Sequence, residues 1–102
     1  MKKEEILVLQ RKLLNDCLPD KVFWMNNGKI IRNLYELVDS LETINDFHFK
    51  YHVNLDNNKN DFADWIRDAF DDKLAMQLEG IMDKKIYISI LKKQIKKIEN
   101  LV

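Results

Sequence analysis

Cysteine, proline and glycine are nearly missing from this chain: its 102 residues include one cysteine, one proline and two glycines. A lone Cys17 cannot close an internal disulfide. Gly28 and Gly80 stand far apart, so there is no glycine-rich loop to cradle a phosphate. Long apolar runs are missing too. Lys or Asp interrupts every stretch before it approaches the roughly 18 residues needed to span a bilayer. The N-terminus lacks the pattern of a charged start, an apolar stretch and a small-residue cleavage site. The expectation is a cytoplasmic protein with no membrane partner.

What is present is 46% hydrophobic and 33% charged. That is the composition of a folded, helix-rich chain rather than a disordered or fibrous one. The length suits a single domain over residues 1–102 with a modest core. Net charge is zero, but it is laid out in blocks. Residues 1–35 sum to +3, residues 36–83 to −8 and residues 84–102 to +5. Such separation favours the basic C-terminal segment lying on the acidic body, in the same molecule or a neighbour, and salt weakens that pairing.

Periodicity predicts a mainly α domain of four to five helices with one short β-hairpin near residues 22–31. An N-terminal helix (residues 1–18) and a basic C-terminal helix (residues 84–102) flank a central part, residues 22–80. The first helix carries Ile6, Leu9, Leu13 and Cys17 at helical spacing with a second row of Leu7 and Leu14, a wide stripe, and Pro19 stops it. Val22–Met25 and Ile30-Ile31 read as the hairpin strands around Asn26-Asn27-Gly28, with Phe23 and Trp24 as anchors. Asn33 is expected to cap a helix with stripe Leu34, Leu37, Val38, Leu41 and Ile44, and Glu36 to reach back to the cap. Asp46 is read as the cap of a short helix from Phe47 to Val53, followed by a polar loop from Asn54 to Lys59. Asp61 is read as the cap of a helix with apolar positions 62, 65, 66, 69 and 70. Asp71 or Asp72 then caps a helix through Leu74, Ala75, Leu78 and Ile81, with Gly80 an interruption or a kink. Ile86, Ile88 and Ile90 alternate like a strand. The seam Ile88, Leu91, Ile95, Ile98 and Val102 fits a helix better over its full length.

The residues from Phe23 to Gly28, with Asn33-Leu34, Glu36-Leu37, Phe49, His52-Val53, Asn60-Asp61-Phe62, Trp65-Ile66, Asp68 and Leu74-Ala75, resemble a family of small, mainly archaeal domains of unknown function. The likeness spans about residues 22–79. It implies a compact, mainly helical unit, sometimes an appendage of larger proteins, with no established activity. The N-terminal helix and the long basic tail lie outside it.

The polar residues most suggestive of chemistry are His48, His52, Asn60 and Asp61. His48 and His52 are four apart, so on a helix both imidazoles share a face, as two ligands of a transition metal do. A third ligand would have to come from Asp56, Asp61 or Asp64, and no HExxH glutamate lies between the histidines. The plainer alternative is that His52 bonds the backbone or Asn60 and pins the loop. Asn60 and Asp61 read as helix caps or as polar lining of a pocket. Trp65, between Phe62 and Ala69 on an apolar face, reads as core. Asp64, Asp68, Asp71 and Asp72 all look solvated, without the contrasting environments an acid–base pair needs. No metal and no cofactor is expected.

The functional expectation is a non-enzymatic helical interaction domain that binds a protein partner or itself, forming a homo-oligomer through its terminal helices. Its interaction seam would be Ile88, Leu91, Ile95 and Ile98, unless that seam packs on Ile6, Leu9 and Leu13 of the same chain. One alternative is nucleic-acid or ribosome association through Lys84, Lys85, Lys92, Lys93, Lys96 and Lys97. It is weakened by a single aromatic, Tyr87, and by the absence of arginine from that segment. Another is a small-ligand or metal pocket at His48, His52, Asn60 and Asp61.

Overall fold

The computed structural model describes residues 1–101. Among them run, in chain order, α1 (Lys3–Leu14), β1 (Phe23–Trp24), β2 (Ile30–Ile31), α2 (Leu34–Thr43), α3 (Asp46–His52), β3 (Val53–Asn54), β4 (Lys59–Asn60), α4 (Asp61–Ala69), α5 (Asp72–Met76) and α6 (Lys84–Glu99). Single 3₁₀ turns follow Leu18 and Asn54. The mainly α class is what the sequence predicts, and two hairpins rather than one accompany it.

Helix α2 illustrates how the local sequence dictates its element. The Asn33 side chain accepts from Glu36 N–H at 2.8 Å, and the Glu36 carboxylate accepts from Arg32 N–H at 2.8 Å, one residue before the expected partner. All five apolar positions of its stripe, Leu34, Leu37, Val38, Leu41 and Ile44, are buried. They meet α6, which packs against both α2 and α1. Burying such aliphatic side chains stabilises by about 1.5–3 kcal/mol each before chain entropy is counted. A second half of the core is aromatic. Phe23, Phe49, Phe62 and Tyr87 form ring pairs with centroids 5.2–6.4 Å apart, and Trp65 joins through Phe23 at 5.8 Å. The Trp65 indole N–H donates to Lys21 O, so its one polar atom is satisfied inside the core.

Several boundaries differ from the sequence expectation, each for a local reason. Helix α1 ends at Leu14, so Cys17 lies beyond it, half-buried, with its amide bonded to Arg32 O at 2.8 Å. Trp24 is 65% exposed and anchors nothing, because strand alternation sends it away from Phe23. The buried partner is Met25. Asn45, not Asp46, caps α3, accepting from His48 N–H, and Asn60, not Asp61, caps α4. The polar loop 54–59 contains a second hairpin, with Val53 opposite Asn60 and Asn54 opposite Lys59, closed by Asn58 at φ 51°. Left-handed backbone suits Asn better than most residues. Helix α5, capped by Asp71, stops at Met76. Gly80 takes φ 75° and turns the chain, so Leu78 is buried without belonging to the helix and Ile81 is half-buried beyond it. Residues 86–90 are helical, within α6, and Val102 of the seam lies outside the described residues. Among the described residues no helix is long and apolar enough to cross a membrane.

Candidate functional site

Helix α3 holds His48 and His52 on one face, as their spacing requires, and that face meets the turn of the first hairpin. Both imidazoles converge on Asn26. The Asn26 main-chain N–H donates to His52 Nε2 at 3.1 Å, and its side-chain Oδ1 lies 3.0 Å from His48 Nδ1. On its other side His52 Nδ1 sits 2.8 Å from Asp61 Oδ2, at the start of α4. Lys59 completes the cluster, with Nζ 3.1 Å from the same Asp61 oxygen, bonded to Tyr51 O and 4.0 Å above the Tyr51 ring.

This network assigns the proton on His52. Nε2 accepts a backbone N–H and so carries no hydrogen, leaving Nδ1–H to donate to Asp61. The ring is 3% exposed and enclosed by Phe23, Tyr51 and Phe62, with centroids 4.9–5.2 Å away. Burial pushes its pKa below the ordinary histidine value, against the opposing pull of the Asp61 carboxylate. An Asp–His pair of this geometry orients a base in hydrolases, but a base needs a hydroxyl, thiol or water at the second nitrogen. Here that nitrogen is occupied by a main-chain amide. His52 therefore pins the first hairpin to α4, through Asp61 and Asn26 rather than through Asn60.

Asn60 performs a separate task. Its Oδ1 accepts from Ala63 N–H at 3.3 Å and from the Tyr87 hydroxyl at 2.7 Å, and its Nδ2 donates to Leu78 O at 3.0 Å. Burial raises the Tyr87 pKa strongly, which keeps the hydroxyl a donor. The four expected pocket residues thus fall into two bonded sets, His48 with His52 and Asp61 in one and Asn60 in the other. Among the described residues no cluster of three or more His, Cys, Asp or Glu side chains could hold a metal ion.

The acidic residues of 64–72 each meet a cation or a helix start. Arg67 gathers three carboxylates, Asp64 at 3.2 Å, Asp72 at 2.9 Å and Glu79, while Asp68 pairs with Lys21 at 3.0 Å and Asp71 caps α5. The Arg67 hub was not anticipated. Of its arms only Asp64, three residues earlier on the same helix, has a local signal in the sequence. Arg67, Asp64, Glu79, Lys59 and Asn60 border an open cleft of about 410 Å³ whose cations are already paired.

The predicted seam lies inside the molecule. Leu91, Ile95 and Ile98 are 0%, 6% and 8% exposed and Ile88 is half-buried, in the core with Leu13, Leu37 and Leu41. The seam packs internally, with Ile6 and Leu13 of α1 buried and Leu9 half-buried. The lysines of α6 divide. Lys84 donates to Ile44 O at the end of α2, and Lys92 pairs with Glu42 at 3.2 Å, so the basic helix does lie on the acidic body. Lys85, Lys93, Lys96 and Lys97 are exposed, but Tyr87 is fully buried and cannot stack on a base.

Of the second row on α1, Leu14 is half-buried and Leu7 is exposed. Val8 is 64% exposed on the side away from the buried Ile6 and Leu13, while Leu7, 42% exposed, borders a separate depression with Gln10 and with Leu101 just beyond the end of α6. Around Val8 stand Glu4 and Glu5 one turn before, Arg11 and Lys12 one turn after, all exposed and none in an ion pair among the described residues. No family model, no curated protein and no solved structure matches this chain.

Proposed function

We propose that this chain is a non-enzymatic protein-interaction domain that self-associates through its N-terminal helix. The observation that carries the reading is Val8, 64% exposed at the centre of the outward side of α1 and ringed by Glu4, Glu5, Arg11 and Lys12. Four exposed charged side chains, none in an ion pair among the described residues, surround one exposed aliphatic side chain there, which is a rim without a partner around an apolar centre. The reading is supported by the spent state of the polar clusters: His52, Asn60, Asp61 and Arg67 each bond to other groups of the same chain. It also moves the binding surface from α6, whose seam completes the core, to the other terminal helix.

Light scattering over a wide concentration range tests it. The expected result is a weight-average mass rising with concentration from monomer toward a small oligomer. A constant monomer mass at the highest attainable concentration would overturn it.

A further inference from the structure

The outward face of α1 has an internal symmetry. At about 100° per residue Val8 lies opposite the buried Ile6 and Leu13, and the four flanking charges fall on either side of it. Glu4 and Arg11 lie to one side of Val8, Glu5 and Lys12 to the other, with acids toward the helix start and bases toward its end. Within one helix, residues seven apart are separated by about 10 Å, too far to pair. A shallow apolar depression of about 360 Å³, bordered by Glu4, Glu5, Val8, Leu9 and Lys12, lies on this face.

The geometry points to a second copy of this chain as the occupant, with α1 docked antiparallel on α1 about a two-fold axis at Val8. Turning one helix end for end about that axis keeps each side on its own side and exchanges start for end. Val8 then meets Val8 of the second copy, Glu4 meets that copy's Arg11, and Glu5 meets its Lys12. The symmetry repeats both pairs, so four ion pairs ring one apolar contact. A parallel arrangement would set acid beside acid and base beside base, so the charges also select direction. Two helices of this length cover less than the roughly 1,200 Å² that stable complexes bury. The dimer is therefore weak and in exchange with monomer. This inference rests on the self-association proposed above.

Charge reversal tests it, with circular dichroism of each variant to confirm that α1 stays folded, because these charges also complement the dipole of α1. One variant, Glu4→Lys with Glu5→Lys, makes the face wholly basic; the other, Arg11→Glu with Lys12→Glu, makes it wholly acidic. Sedimentation equilibrium at low salt should give a dimer for the wild type, monomer for each variant alone, and a heterodimer on mixing. Val8→Asp should be monomeric with a melting temperature close to that of the wild type. A wild type that stays monomeric overturns both this interface and the self-association reading. A wild type that dimerises while both charge variants dimerise equally well leaves self-association standing and overturns the antiparallel α1 contact.

Discussion

The main-chain amide of Asn26 donates to Nε2 of His52 across 26 residues of sequence, and this bond requires the imidazole to be neutral. Protonating Nε2 would set two donors against each other. Because burial lowers the folded-state pKa, the unfolded chain binds the extra proton first as pH falls through about 6.5. The contribution of His52 is fully present above that pH and is lost as pH falls toward and through the lowered folded value. Denaturant unfolding between about pH 8 and about pH 5 should show stability declining with acidity, with a slope of at most about one proton from this residue. His52→Gln should flatten the decline; identical slopes would rule this residue out as its source.

Asn60 and Tyr87 should differ in cost although they share a hydrogen bond. Asn60→Ala removes the α4 cap, strands the Tyr87 hydroxyl and leaves Leu78 O with Ile81 N–H alone, a loss of about 2–4 kcal/mol. Tyr87→Phe removes the hydroxyl together with its need for a partner, and Asn60 Oδ1 keeps Ala63 N–H, so about 1 kcal/mol is expected. Chemical denaturation of both variants checks the order, and a costlier Tyr87→Phe would contradict it.

Ser40 is fully buried on α2 and its hydroxyl has no partner among the described residues. Removing an unsatisfied buried polar atom should help. Ser40→Ala is expected to leave unfolding free energy unchanged or raise it by up to about 1 kcal/mol. A clear loss of stability would mean that the hydroxyl is bonded after all.

The two apolar faces of the terminal helices should respond oppositely to charge. Ile95→Asp places an unpaired carboxylate in the core and should prevent folding at any protein concentration. Leu91→Ala should cost about 2–5 kcal/mol. Val8→Asp should leave the circular dichroism melt close to that of the wild type. Equal damage from Ile95→Asp and Val8→Asp would mean that the outward side of α1 is also core.

Long, strongly periodic segments were legible in the sequence. The α2 stripe and the core position of Trp65 follow from spacing, because 3.6-residue periodicity survives whatever the helix packs on, while α6 needs its length and its lack of turn residues to outweigh the strand-like Ile86, Ile88 and Ile90. Short elements were not. Strands of two residues carry no period, so the second hairpin passed as a polar loop and Trp24 was given the wrong side of the first. Adjacent polar residues left the caps ambiguous: Asn45-Asp46 and Asn60-Asp61 both offer an acceptor, and in both the asparagine takes the cap. In the Asn60-Asp61 pair the aspartate answers instead to His52, a partner nine residues away that no local rule names. The seam's periodicity showed that Leu91, Ile95 and Ile98 need covering, not by what; α1 and α2 cover it.

The Asn60 side chain has a dynamic consequence. A single carboxamide fastens the start of α4, the Leu78 carbonyl beyond α5 and the first turn of α6, so opening any one of the three breaks a bond it shares with the others. Amide hydrogens in α4 and α6 should therefore exchange through one shared opening, while those of α1, fastened to the end of α6 by Gln10, exchange sooner. The helix that frays first is then the one proposed to meet another molecule, and its pairing in a dimer would slow that fraying.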